Sequence, residues 1–381
     1  MLRLTRLRLT DFRSWPSLEA CFDAPVVAIA GENGAGKTNL LEAISLLAPG
    51  RGLRGARVAE LGRRTEGAAR PWAVAGRFES PQGAFDLGTG ADPEGASERR
   101  VFRLDGEPVR VQAELAECVA AVWLTPQMDR LFQEGASGRR RFLDRLAWAL
   151  QPGHAREVAA HDNAIAQRNR LLAEGRGDAR WLAALEDAVA RHAVAVTATR
   201  RALALRLNAV MAGGAAIGAF PPARLDLICP IAEALAGQPA LAVEEGLRAG
   251  LAADRHRDAA AGGAARGAHR ADMTLVHLPK GQPAGMCSTG EQKALLVSVV
   301  LAHAALIAEA RGFAPLLLLD EVAAHLDRAR RQALFAALAA LPAQSFLTGT
   351  EMEVFDPLRG VAAMFRAGGG RLLPAGETGS R

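Results

Sequence analysis

Apolar residues recur at two-residue spacing from the start of the chain. Leu2 and Leu4 are followed by Leu7 and Leu9, which predicts a strand with one phase slip, the mark of a bulge. Asp11-Phe12-Arg13 reads as the turn that follows it. Val26-Val27-Ala28-Ile29-Ala30 is a short unbroken apolar run, as expected of a buried strand, and Leu40, Leu41, Ile44, Leu47 and Ala48 then repeat at helical spacing. Val101-Phe102-Arg103-Leu104 and Glu107-Pro108-Val109-Arg110 flank Asp105-Gly106, a two-residue hairpin pattern. Ala121-Val122-Trp123-Leu124 predicts another strand, ending in Thr125-Pro126-Gln127. Residues 1–130 are therefore strand-rich.

The period then changes. Arg141-Phe142-Leu143-Asp144-Arg145-Leu146 and the stretches 154–174 and 179–211 carry helical periodicity with polar faces. Gly213-Gly214 and the Ala/Gly-rich stretch 258–268 interrupt it and read as loops. Residues 273–278 return to a strand pattern, residues 315–319 form an apolar strand, and a helical stretch follows over 328–341. The pattern predicts an α/β fold with a split core, residues 1–130 and 272–381, interrupted by a compact helical lobe over 131–271. There is no fixed-period repeat, and the insertion has no room for a long coiled coil. The longest apolar stretch, residues 294–308, has fifteen residues, too few to span a bilayer, and predicts a buried helix. Residues 370–381 read as a loose tail.

Three segments carry chemistry. Gly31-Glu32-Asn33-Gly34-Ala35-Gly36-Lys37-Thr38 fits G-x-x-x-x-G-K-[ST] at every fixed position, between the predicted strand and helix where such a loop must sit. Glycines let backbone N–H groups close on phosphate oxygens; Lys37 reaches the outer phosphates and Thr38 offers its hydroxyl to Mg²⁺. A chance Gly-rich turn would lack the flanking elements. Pro315-Leu316-Leu317-Leu318-Leu319-Asp320-Glu321 is an apolar strand ending in two acids. Asp320 is placed to hold Mg²⁺ through water, and Glu321 to polarise an attacking water as general base. Upstream, Ser288-Thr289-Gly290-Glu291-Gln292-Lys293 opens a helical pattern. On its own it is an N-cap with a capping box. A Ser-x-Gly-x-Gln segment about thirty residues before the acidic strand also resembles the signature loop of ABC-type ATPases, which caps the γ-phosphate of ATP held by a second subunit.

Composition narrows the picture modestly. The chain has 381 residues, 50% hydrophobic, enough for a large core. Residues 1–10 alternate Leu with Arg and Thr, so no secretory leader is expected. Cys21, Cys118, Cys229 and Cys287 lie far apart without a C-x-x-C pair, against zinc or a disulfide framework and in keeping with a reducing cytoplasm. The net charge of +5 is compatible with nucleic acid, but Arg far outnumbers Lys and Ala is abundant, a bias that weakens any argument from charge.

The whole chain resembles the RecF family of bacterial DNA repair and recombination proteins. The resemblance rests on Leu-Thr-Asp-Phe-Arg (9–13), the phosphate loop with Asn39, Gly-Arg-Gly-Leu-Arg (50–54), and Arg-Arg-Arg-Phe-Leu-Asp (139–144). It continues through Gly-Ala-His-Arg-Ala-Asp-Met (267–273), the Thr-Gly-Glu-Gln-Lys form of the signature, and Phe-Leu-Thr-Gly-Thr (346–350). It implies an ABC-type P-loop ATPase core (lobe I) with a helical lobe II. It further implies a head-to-tail homodimer formed on ATP and released by slow hydrolysis, double-stranded DNA and single/double-strand junctions as ligands, and action with RecO and RecR in loading RecA. The resulting reading is a weak DNA-stimulated ATPase that serves chiefly as a DNA-binding switch, in the cytoplasm and without a membrane.

Carried onto this sequence, residues 31–39, Ser288, Gly290 and Asp327 belong to the nucleotide site, and Thr38 and Asp320 to the metal. Gln127 fits the loop that touches nucleotide and metal and links them to lobe II, or is a plain strand-terminating turn. Many relatives carry Asp at the position of Glu321 and an acid at that of His325. Thr348 or Thr350 falls where transporters place a switch histidine; either is alternatively a strand-end hydroxyl. Arg13 is a nucleotide contact or a solvated turn cation. Arg51 and Arg54 sense DNA or phosphate, or stabilise the C-terminus of the phosphate-loop helix. Arg139, Arg140 and Arg141 are candidates for DNA contact, or a solvated face. Two other readings compete: a transporter-type ABC ATPase subunit, which needs a membrane partner, and a related nuclease, which needs a further carboxylate domain.

Overall fold

The computed structural model describes residues 1–65, 68–92, 99–110, 112–175, 178–214 and 217–375. The chain folds as two units: residues 1–129, 213–221 and 288–381, and residues 130–212 and 222–287.

In the first unit the predicted strand Val26–Ala30 lies inside a six-stranded sheet. The order is Ala121–Leu124, Leu316–Leu319, Ser345–Gly349, Val26–Ala30, Ala362–Gly368, Arg371–Pro374, with only the last pair antiparallel. The strands before Glu321 and before the phosphate loop carry no polar residue, as strands covered on both faces require. A second, antiparallel sheet contains Arg3–Phe12, whose register shifts between Leu4 and Arg6, where the phase slip predicts a bulge. Gln344 fills that irregularity. It is fully buried; Leu4 N–H donates to its Oε1 (2.7 Å) and its Nε2 donates to the Leu4 carbonyl (3.2 Å). Asp105 (φ 50°) and Gly106 (φ 87°) make the expected hairpin turn, although the return strand is only Glu107–Pro108.

The second unit is built on helices Ala136–Leu150, His154–Glu174 and Ala179–Gly213, the longest at 35 residues, with three shorter ones. Its core runs through Ala164, Val189, Ala193 and Leu251. It also holds a small antiparallel sheet, in which the predicted strand, Asp272–His277, pairs with Ala223–Ile228, a strand the sequence reading lacks. That pairing moves the expected return to the core from residue 272 to Ser288. Residues 213–221 belong to the first unit, where Ser298 Oγ donates to the Pro221 carbonyl (2.8 Å).

One expected loop and the expected tail contain ordered elements. Within 258–268, helix Arg255–Ala261 covers the first residues, because alanine favours helix and Asp258 is buried against Arg168. Within the expected tail, residues 371–374 pair with 365–368; residues 376–381 lie outside the described ones. Helix Thr289–Arg311 has 23 residues, longer than its apolar stretch predicts, and by length and composition alone could cross a membrane. Here 78% of its apolar window is buried inside the protein.

Candidate nucleotide site

The phosphate loop leaves strand Val26–Ala30 and enters helix Lys37–Leu47 through Gly36, whose φ of 93° is left-handed. A Cβ there would come within 2.8 Å of Ser14 Oγ and 3.0 Å of the Trp15 ring, so only glycine fits. Trp15 Nε1 donates to the Gly36 carbonyl (3.2 Å). Lys37 is buried and folds back over the loop, donating to the carbonyls of Gly31 (2.7 Å) and Glu32 (3.0 Å). Glu32, Asn33 and Gly34 are exposed, and Gly34 also has positive φ. Residues 30–35, 350–353, 366–369 and Leu373 line a cleft of about 670 Å³ at this loop.

Thr38 and Asp320, 282 residues apart, meet: Thr38 Oγ1 is 3.0 and 2.9 Å from the two carboxylate oxygens. Thr348 is buried near the end of the adjacent strand. It donates to Asp320 Oδ1 (2.7 Å) and accepts the Glu321 N–H (3.0 Å). Burial pushes the Asp320 carboxyl above the usual carboxylate range; the Thr348 and Thr38 hydroxyls oppose this, Glu321 adds to it and Arg54 opposes it. Glu321 has φ 51° and stands 3.7 Å from Lys37 Nζ.

Ser288 and Glu291 form the predicted capping box at the start of helix Thr289–Arg311, with the Ser288 N–H donating to Glu291 Oε2 (3.0 Å). Ser288 is exposed. Asp327 caps helix Arg328–Ala340 through the Arg330 N–H (2.8 Å), and a Cβ on Gly290 would lie 3.0 Å from Arg330 Nη1. Gln127 is exposed on a 3₁₀ turn, Pro126–Arg130, beyond the strand edge. Two residues on, Asp129 pairs with buried Lys293 of the signature helix (3.2 Å), which spacing alone did not reveal. The side chain of His325 lies outside the described residues.

The arginines divide. Arg13 is partly exposed, and both its Nε and Nη2 donate to Glu42 of the phosphate-loop helix (2.9 Å each). Arg54 does not serve the helix C-terminus; its Nη1 donates to Asn39 Oδ1 (2.7 Å) and Glu42 Oε2 (2.9 Å), in the helix's first half. Arg51 is exposed. Arg139 makes a bidentate pair with Asp272 (2.7 and 2.8 Å) and Arg140 donates to the Ala271 carbonyl (2.8 Å), so both tie elements of their own unit together. Arg141 is exposed. Glu42 escaped the sequence reading, although a lone carboxylate inside the apolar helix residues 40–47 was a visible signal.

Comparison with known proteins places this geometry. Residues 3–370 match the model of the RecF/RecN/SMC N terminal domain. The chain is 45% identical to the DNA replication and repair protein RecF of Mesorhizobium japonicum, over 97% of both chains. It is 48% identical to that of a Caulobacter species, over 94% of this chain and 95% of the other. Among solved structures, the recombination mediator protein RecF-ATPrS in the RecFOR pathway superposes with a TM-score of 0.84 at 23% identity, over 98% of both chains. An SmcHead bound to the C-winged helix domain of ScpA superposes at 0.54 and 16% identity, over 97% and 96% of the two chains. These structures share the ABC-type ATPase fold, here with a compact helical unit and no long coiled coil among the described residues. With such identity along nearly its whole length, the chain belongs to the RecF family of DNA replication and repair proteins.

Proposed function

We propose that this chain is an ATP-gated DNA-binding protein whose slow hydrolysis of ATP times its release from DNA. The observation that carries the reading is the meeting of Thr38, Asp320, Thr348 and Glu321 beside the buried Lys37. Such a constellation is what a phosphate tail and its cation require, and solved relatives named RecF-ATP and RecF-ATPrS carry the same fold.

Lys37 is the cation for the outer phosphates, and the N–H groups of residues 34–38 with the helix N-terminus supply the cradle. The Thr38 hydroxyl and Asp320 carboxylate are the hard oxygen donors suited to Mg²⁺, which neutralises phosphate charge when bound. Thr348 holds Asp320 and the Glu321 backbone together, leaving the Glu321 carboxylate to accept a proton from the attacking water. Exposed Ser288, with Gly290 and Asp327, faces the phosphate of a second copy, so ATP closes a head-to-tail homodimer. Gln127 and the Asp129–Lys293 pair link the site to the signature helix. The closed dimer holds duplex DNA and gap junctions through exposed cations, among them Arg51, Arg54 and Arg141. It works with RecR and RecO, and indirectly RecA, in the cytoplasm.

The test is binding to gapped duplex DNA with and without ATP, for wild type, Glu321→Gln and Lys37→Met. ATP-dependent binding that persists in Glu321→Gln and vanishes in Lys37→Met is the expected result. Intact ATPase activity with no DNA binding in any state overturns the reading.

A further inference from the structure

Glu42 follows Lys37 by five residues, in a helix stretch, 40–47, where every side chain is buried. Only 1% of its side chain is exposed, and it serves three guanidinium N–H groups: Arg13 Nη2 on Oε1, with Arg13 Nε and Arg54 Nη1 on Oε2, all at 2.9 Å. The same Arg54 nitrogen donates to Asn39, the neighbour of Thr38, and Asn39 Nδ2 donates to Ser14 Oγ (2.8 Å). Arg13 reaches Glu42 from a left-handed backbone (φ 52°), a conformation that side-chain-bearing residues avoid without a reason. Packing alone does not ask for this arrangement, since a leucine fills such a position without the cost of burying a charge. One carboxylate also leaves the cluster, two cations and one anion, with a surplus positive charge beside the phosphate loop.

We propose that Glu42 is a positioning residue of the nucleotide site: it holds Arg13 and Arg54 as one unit, so that their surplus charge faces the polyphosphate, and it acts through Arg54. This rests on the ATP-site reading above. A carboxylate shared by two guanidiniums makes the position of each depend on the other. Losing it frees Arg54 from a fixed place beside Asn39 and costs preorganisation at the charge that develops on the phosphates.

The experiment is a double-mutant cycle on the full chain. kcat and KM for ATP, with and without duplex DNA, are measured for wild type, Glu42→Gln, Glu42→Asp, Arg54→Ala and Glu42→Gln/Arg54→Ala, beside nucleotide-free melting temperatures. The expected result is a kcat about tenfold lower for Glu42→Gln, partial recovery in Glu42→Asp, and a double variant no slower than Arg54→Ala alone. Additive losses, or an unchanged kcat in Glu42→Gln, overturn the proposal. If Glu42→Gln is too unstable to purify, Glu42→Asp with Arg54→Lys closes the same cycle, and additivity there has the same force. An Arg54→Ala enzyme hydrolysing ATP at the wild-type rate overturns the positioning role and leaves the ATPase reading standing. Failure of wild type itself to bind ATP removes the reading beneath it.

Discussion

Asp320 carries a conflict that single substitutions expose. Its carboxyl is buried and its pKa is raised, chiefly by that burial, so the charged form is disfavoured in the folded state without a cation. An acid whose folded pKa exceeds its unfolded value weakens the fold above that pKa, and the penalty is relieved as pH falls through the folded value toward the unfolded one. Asp320→Asn keeps acceptor capacity for the two threonines while removing the charge. It is expected to raise the melting temperature of the nucleotide-free protein at neutral pH and to abolish Mg²⁺-dependent ATP hydrolysis; a lower melting temperature contradicts this account. For the same reason, Mg²⁺-dependent nucleotide affinity in wild type is expected to fall on acidification starting above the ordinary carboxylate range, read by titration between neutral pH and pH 5. The meeting of Lys37, Thr38, Asp320 and Glu321, and the cap at Ser288, were legible because fixed offsets within short motifs define them. The partners of Glu42, Thr348 and Arg139 were not, because their contacts join segments 12 to 133 residues apart that only the fold brings together.

Elements were legible where one period dominates. The buried strands before Gly31 and before Asp320, and the three long helices of the second unit, appear as the hydrophobic pattern predicts. Strand Ala223–Ile228 was missed although Ala223, Leu225 and Leu227 alternate with Arg224 and Asp226, because six residues between helical stretches give too little signal. Helix Arg255–Ala261 was hidden for another reason: its defining partner is Arg168. That side chain is fully buried and donates to Glu186 (3.1 Å), Asp258 (2.8 Å) and the Leu251 carbonyl, while Arg255 doubly contacts Glu186. Three helices are thus pinned by paired buried charges. Glu186→Gln leaves Arg168 short of a counter-charge and is expected to cost about 3 kcal/mol in denaturant unfolding. A loss below about 1 kcal/mol shows that Asp258 alone suffices.

For the whole molecule, charge is a weak guide to DNA contact. The surplus of +5 is small, and two of three clustered arginines at 139–141 are spent inside their unit. The proposed affinity for duplex therefore rests on scattered exposed cations meeting phosphates rather than on one patch. Binding in the ATP-bound state is expected to weaken on the order of a hundredfold between 50 and 200 mM salt, equally for duplexes of unrelated sequence. Fluorescence anisotropy checks both points; sequence preference or salt indifference contradicts them. Arg141→Ala alone is expected to change affinity severalfold at most.

The indole of Trp15, bonded to the carbonyl of Gly36, has a consequence of another kind. The chain contains five tryptophans and no tyrosine, so all its strong near-ultraviolet emission is indole emission. One of those five fluorophores is bonded to the residue through which the phosphate loop enters its helix. The unlabelled protein therefore carries its own optical gauge: nucleotide binding is expected to shift indole emission, and Trp15→Phe to remove that shift.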